Sequence, residues 1–133
     1  MKSAGWELQK AIYSRLINDT ALTEKVTGIF DDANGHAVPF VTIGEMSAVD
    51  WSTKTEPGQE FIVTLHTWSE YPGMKEVMEI HDLILQAITR EPLGASGSFY
   101  FHFTRLVSEQ TLRDPDGVTR HGVLSLMFNT EEV

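Results

Sequence analysis

Five histidines carry the side chain best suited to acid–base or metal chemistry near neutral pH. His66, His102 and His121 fall on or beside stretches with the two-residue alternation of strands. No His-x-x-x-His or His-Glu-x-x-His pair occurs, and His81 lies beside the apolar stripe of a predicted helix, which indicates a packing role. The spacing therefore predicts no metal and no cofactor. A small histidine-dependent enzyme or metal-binding protein is kept as an alternative.

Asp114, Asp116 and His121 form a second group that could do acid–base chemistry. However, Asp114-Pro115-Asp116-Gly117 is also the composition of a tight turn between strands, because proline fixes φ and glycine accepts a positive φ. Turn formation explains both aspartates without catalysis. Ser52 lacks a Gly-x-Ser-x-Gly context, and Gly94–Gly97 lacks the lysine of a phosphate-binding loop. The sequence thus contains no recognisable catalytic motif.

Size, charge and the absence of cysteine narrow the class of protein. The 133 residues predict a single domain, 1–133, large enough to bury a core without metal or disulfide support. With no cysteine, a disulfide framework, a thiolate nucleophile and cysteine-ligated metal centres are excluded. A formal charge of −9 opposes tight binding to nucleic acid. Neither a signal peptide nor a segment of membrane-spanning length is recognised, so export and membrane insertion are not expected.

Helical periodicity identifies two main helices and a short one. Over Trp6–Ile17 the apolar stripe is Leu8, Ile12, Tyr13 and Leu16, and over Met74–Arg90 it is Val77, Ile80, Ile84, Ala87 and Ile88. Asp19 or Thr20 can cap a short helix that ends near Val26. Glu91–Gly97 is predicted as a flexible connection.

Strands are predicted around these helices by alternation and turn residues. Ile29-Phe30 is a candidate short strand, Pro39–Glu45 begins a longer one, and Glu60–Trp68 places Phe61, Val63 and Leu65 on one face. A polar loop over Ser52–Gln59 joins the last two. A final pair of strands flanks the Asp114–Gly117 turn.

The final hairpin carries two further signals. Phe99, Phe101 and Phe103 share a face, but Leu106 falls on the opposite side, which predicts a β-bulge near Arg105. In the partner strand Leu124, Leu126 and Phe128 share one face, while Val123 and Met127 are apolar on the other. Apolar residues on both faces indicate burial against another subunit, or else scattered surface apolar residues.

These elements predict an α+β fold with a mixed, mostly antiparallel sheet of about four or five strands and the two main helices packed on one face. With the elements placed, the chain resembles the tail-terminator, or tail-completion, family of long-tailed phages and gene transfer agents. The similar segments, in chain order, are Leu8–Tyr13, Pro39–Gly44, Asp50–Lys54, Leu65–Ser69, Leu112–Gly117 and Thr119–Gly122.

The resemblance implies a structural role without a reaction. Copies are expected to form a ring, hexameric in this family, that caps the tail tube and contacts the head connector. The implied partners are further copies of the chain, the tail-tube protein and the head connector protein, with DNA passing through without specific binding. The implied location is the virion tail, after assembly in the bacterial cytoplasm. A general adaptor that binds a protein through its sheet edge is the remaining alternative.

Interface residues are expected in the two loops that carry the resemblance. Trp51 is an aromatic residue in a polar loop, which favours an intersubunit contact or, equally, local packing. Lys54, Arg113 and Arg120 are scarce positive charges on an acidic chain that could pair across a ring contact. The full expected set is Asp50, Trp51, Lys54, Arg113, Asp114, Asp116, Arg120 and His121.

Overall fold

A computed structural model describes residues 2–133 and shows one six-stranded sheet with three helices. The helices are α1 (Gly5–Ile17), α2 (Thr20–Lys25) and α3 (Lys75–Thr89). The strands are β1 (Ile29–Phe30), β2 (Phe40–Asp50), β3 (Gly58–Ser69), β4 (Gly94–Ser96), β5 (Phe99–Arg113) and β6 (Arg120–Glu132), in the order β1-β2-β3-β6-β5-β4. Among the strand pairs of residues 2–133, only β1 with β2 is parallel. The predicted α+β class and mostly antiparallel sheet are confirmed.

The helices cover one face of the sheet, here called the inner face, and a single core lies beneath them. Phe61, Val63 and Leu65 of β3 are buried there, as the alternation predicts, together with Leu124, Leu126 and Phe128 of β6. From α3 the predicted stripe is buried in full. The opposite side of the sheet, here called the open face, has no helix over it among residues 2–133.

Helix α1 departs from its predicted stripe at one position. Leu8, Ile12 and Leu16 are fully buried, but Tyr13 is 45% exposed and the prediction that it faces the core was wrong. Tyr13 is one residue beyond Ile12 and is therefore turned about 100° around the helix axis, toward the sheet edge. There it lines a groove with Trp6 and Phe30.

Polar contacts fix the helix ends to one another. Asp19 caps α2 by accepting a hydrogen bond from the backbone N–H of Leu22 at 3.0 Å, as one of the two predicted capping choices. Arg15 of α1 donates to the carbonyl oxygens of Ala87, Glu91 and Pro92 at 2.8–2.9 Å, at and beyond the C-terminus of α3. A cation among these otherwise unpaired carbonyl groups ties α1 to the end of α3.

Three strand boundaries differ from the prediction. Strand β2 continues through Asp50, so Asp50 ends a strand and does not lie in the loop, and β3 already begins at Gly58. Within the predicted flexible connection Glu91–Gly97, residues Gly94–Ser96 form β4 against β5. The sheet thus has six strands, where four or five were predicted, because a three-residue strand of small side chains gives no alternation signal.

The hairpin between β5 and β6 matches its prediction. The ladder shifts between Phe103 and Arg105, which confirms the bulge near Arg105, and shifts again between Leu106 and Ser108. The turn closes with Gly117 N–H donating to the Asp114 carbonyl at 2.9 Å, and Gly117 has the positive φ of 75° that makes glycine necessary. In the part of the chain described, no helix is long and apolar enough to cross a membrane.

Candidate functional site

Two histidines and a glutamate form a hydrogen-bonded chain on the open face, with His66 in the middle. His66 of β3 and His121 of β6 are on adjacent strands, and Nδ1 of His66 lies 2.7 Å from Nε2 of His121. On the other side of its ring, His66 Nε2 lies 2.6 Å from Oε1 of Glu45, which β2 supplies. Strand register therefore brings together residues that are 21 and 55 positions apart in the chain.

Aromatic rings extend this cluster across the open face. Trp68 stacks on His121 with ring centroids 3.9 Å apart and planes within 9°, and Phe40 follows at 6.3 Å from Trp68. Beyond Phe40, the rings of Phe30 and His36 stack at 3.5 Å. Flat side chains on neighbouring strands bury each other in this way without a covering helix. Met127, one of the apolar residues predicted on this face, is only 9% exposed, so it is buried without a second subunit.

The hydrogen bond between the two rings limits how many protons the histidine pair can hold. In the 2.7 Å contact one ring nitrogen must donate and the other accept, so the two rings cannot both carry two protons while it persists. Burial lowers the pKa of His121, and the neighbouring His66 lowers it further. The hydrogen bond from His66 lowers the pKa of the Glu45 carboxyl. Glu45 thus stays ionised beside a histidine pair that resists a second positive charge.

The other predicted histidines lie elsewhere. His102 is at the far end of the sheet, where Nε2 approaches Oε1 of Glu131 at 3.9 Å. His81 is fully buried in α3 on the inner face, as the packing prediction states, and its Nδ1 lies 2.8 Å from Oε2 of Glu109. No three His, Asp or Glu side chains within residues 2–133 converge in the manner of a metal centre.

The expected interface residues of the first loop lie at one end of the sheet. Asp50 Oδ1 accepts hydrogen bonds from the backbone N–H and the hydroxyl of Ser52, which lower the pKa of this carboxyl and hold the loop entry. Trp51 is 49% exposed and lines a groove of about 230 Å³ with Pro57, Gly58 and Glu131. Lys54 is exposed near the tip of the same loop.

The expected residues of the hairpin lie at the opposite end. Asp116 accepts hydrogen bonds from the backbone N–H groups of Val118 and Thr119, and the hydroxyl of Thr119 lowers the pKa of its carboxyl most. Arg120 is buried and donates to the carbonyl of Val118 at 3.0 Å. Asp114 is the first residue of this turn, and Arg113 and His121 lie in the two strands that flank it. Asp50 pairs with Gln59 at the start of β3, whereas Arg120 of the hairpin pairs with Ser69 at the end of β3. The loop residues and the hairpin residues of the expected interface are therefore far apart within one chain.

The sequence reasoning missed a further surface, the groove of about 340 Å³ between α1 and β1. Trp6, which is 63% exposed, and Tyr13 line it together with Ile29 and Phe30. A usable signal was present, because Trp6 and Tyr13 are seven residues apart and therefore share one face of the helix.

Comparison with known proteins covers nearly the whole chain. The sequence profile described as tail completion protein gp17 matches residues 10–131. The tail completion protein gp17 of Bacillus phage SPP1 is 32% identical over 128 residues, which are 96% of this chain and 94% of that protein. The solved structure of bacteriophage SPP1 gp17 superposes with a TM-score of 0.69 at 30% identity, over 96% of this chain and 91% of that chain. A chain from the virion of a native gene transfer agent particle shares the fold, with a TM-score of 0.87 at 18% identity over 98% and 99% of the two chains.

Proposed function

The chain belongs to the tail completion protein gp17 family, and from this membership we propose that copies of it form a closed ring that caps a finished tail tube and joins it to the head connector. The observation that carries the proposal is the extent of the match. It spans 96% of the chain and therefore includes the loop around Trp51 and the Asp114–Gly117 hairpin, the two regions expected to contact neighbours.

The arrangement of these two regions supports a ring. A closed cyclic assembly needs two different patches on each subunit, because every contact is heterologous. The Trp51 loop and the hairpin are at opposite ends of the sheet, so each can face a different molecule. The ring is proposed to be hexameric, with the tail-tube protein on one side and the head connector protein on the other.

The charge of the open face supports the passage of DNA without adhesion. Glu45, Glu60 and Glu131 project from this face, against Arg105 as its one counterpart among the Lys and Arg side chains of the described strands. With the helices on the outside, the open face lines the channel. An acidic lining releases no counterions from the phosphate backbone and so supplies no electrostatic binding.

Replacing Trp51 with alanine tests the assigned role of the first loop. We expect the Trp51→Ala protein to be soluble and folded, because the side chain is half exposed, yet to block joining of tails to heads. Electron microscopy of particle preparations would show unattached full-length tails and filled heads. Trp6→Ala removes an aromatic residue of the same size from α1 and serves as the matched control, for which joined particles are expected.

A normal yield of joined particles from Trp51→Ala would remove the loop from the proposal. Copurification of the natural chain with tail-tube protein separates the ring from a general adaptor. Particles that are complete without this chain would contradict the proposed function itself.

A further inference from the structure

Strands β2 and β5 are covered on their outer side over only part of their length, by the short strands β1 and β4. Strand β1 pairs with β2 only at Val41 and Thr42, and β4 pairs with β5 only over Phe99–Phe101. The remainder of each strand, Gly44–Asp50 in β2 and Arg105–Arg113 in β5, has a single strand neighbour within residues 2–133. These segments are called the β2 edge and the β5 edge below.

Open edges of this length attract other strands, because alternate backbone N–H and C=O groups have no partner. Bulges discourage such pairing, and here they lie between Ile43 and Met46 and between Phe103 and Ser108. Beyond the bulges, Met46–Asp50 and Glu109–Arg113 keep an unbroken register with their inner neighbours. Each edge therefore retains a regular five-residue segment that can accept a strand.

The two edges carry net charges of opposite sign. The β2 edge carries Glu45 and Asp50 and no basic residue. The β5 edge carries Arg105, Arg113 and one acid, Glu109, which contacts His81 as Glu45 contacts His66. In a chain with only ten Lys and Arg residues and a net charge of −9, two arginines on one edge are a local excess of positive charge.

We propose that, in the ring assigned above, the β5 edge of one copy pairs with the β2 edge of the next copy, so that one sheet continues from subunit to subunit. The inference rests on the proposed ring function. The pairing is antiparallel, because three antiparallel steps separate β2 from β5 and rotation about the ring axis keeps the up or down sense of each strand along that axis. Since the two edges differ, the contact is heterologous and no edge is left over when the ring closes.

The offset between the edges fits a closed sheet. The centre of the β2 segment, Ala48, aligns with Phe61 of β3, whereas the centre of the β5 segment, Thr111, aligns through Gly122 with Thr67. Six residues along β3 correspond to roughly 20 Å, and four strands span roughly 19 Å. Pairing the two segments therefore tilts the strands by roughly 45°, at the upper end of the tilt that sheet closure imposes.

The absence of native cysteine allows the contact to be mapped by cross-linking. Val49 and Gln110 both face the open side, on the β2 and β5 edges. The test uses tails assembled with the Val49→Cys/Gln110→Cys double variant and a short bismaleimide that spans a one-residue shift in register. The reagent should link most subunits and give a series of cross-linked oligomers up to the closed ring. The control Val49→Cys/Thr23→Cys places the second thiol on α2 and should give no such series.

Electron cryomicroscopy of tails with the natural chain gives an independent measurement that does not depend on a variant folding. The expected result is a β2-to-β5 spacing of about 4.8 Å between neighbouring subunits. A ring present on the tail with these edges beyond hydrogen-bonding distance, or a ring without cross-links in the double variant, would overturn the edge pairing and leave the ring function standing. Tails that carry no ring of this chain would contradict both.

Discussion

At the scale of single residues, two histidines are held neutral by burial in different places. His81 is enclosed by α3 and the inner face, and its Nε2 has no hydrogen-bond partner within the described residues. His121 is enclosed by Trp68 and His66 on the open face. Burial lowers the pKa of both histidines. Nearby carboxylates act in the opposite direction and raise the pKa, Glu109 at His81 and Asp114 and then Glu45 at His121.

We expect these two histidines to make the folded state less stable in mild acid. Each folded-state pKa lies below the ordinary value of 6.5, so the unfolded chain takes up protons first as the pH falls through 6.5. Each full unit of depression removes about 1.4 kcal/mol from the free energy of unfolding. Urea unfolding at pH 7.5 and 5.5 measures the loss, and His81→Gln should reduce it. An unchanged pH dependence in that variant would show that His81 charges freely in the fold.

The two histidine sites differ in how far the sequence reveals them. His81 follows the apolar periodicity of its own helix, so its burial can be predicted locally. The His66–His121 contact depends on the register of β3 against β6, which joins residues 55 positions apart. Local patterns do not fix such a register, because many cross-strand pairs decide it together.

At the scale of elements, one close contact sets the position of α3 on the sheet. Gly122 in the middle of β6 lies beneath the helix, and a methyl group in its place would overlap Val77 Cγ1 and the ring of His81. The absence of a side chain therefore permits the close approach of helix and strand. Neither neighbour can move outward without leaving the core, because both are fully buried.

Gly122→Ala should accordingly destabilise the protein by about 2 kcal/mol through overpacking. Ser125→Ala, in the same strand but on the open face, removes only a hydroxyl shared with Thr64 and should cost less than about 1 kcal/mol. Denaturant unfolding of both variants measures the difference. Equal stabilities for the two would mean that α3 shifts away from β6 at little cost.

The extent of β2 escaped prediction for a physical reason different from the one that hid β4. Helices α1 and α3 bury continuous stripes and were recognised from them. Only the opening segment of β2, Pro39–Glu45, was recognised, because the bulge after Ile43 reverses the alternation: Val41 and Ile43 face inward before it, but Met46 and Ala48 after it. A pattern that changes phase within one strand looks locally like the end of that strand.

At the scale of the whole molecule, charge and topology act together. The chain carries −9 overall, and the sheet sorts several carboxylates onto the side that has no helices. Composition alone predicts the acidity but not its placement, because the face on which each residue lies follows from the assembled ladder. Neither composition nor topology indicates the protein family, which the resemblance predicted and the sequence comparisons show.

Reversing two charges on the open face should slow the passage of DNA. Glu60→Lys/Glu131→Lys changes the net charge from −9 to −5, since each substitution adds two. Glu24→Lys/Glu91→Lys makes the same change at exposed positions in α2 and just beyond α3. We expect several-fold slower DNA release from particles with the first variant only, with a difference that shrinks at high salt. Equal release rates would place the open face away from the channel.

The stacking of Trp68 on His121 makes this region optically responsive. A ring separation of 3.9 Å with nearly parallel planes brings the indole into electronic contact with the imidazole. An imidazolium in that position withdraws electron density from the excited indole, so its fluorescence dims when the neighbour takes up a proton. With Trp6 and Trp51 replaced by phenylalanine, the emission of the remaining tryptophan becomes a label-free signal from the surface that the ring would turn inward.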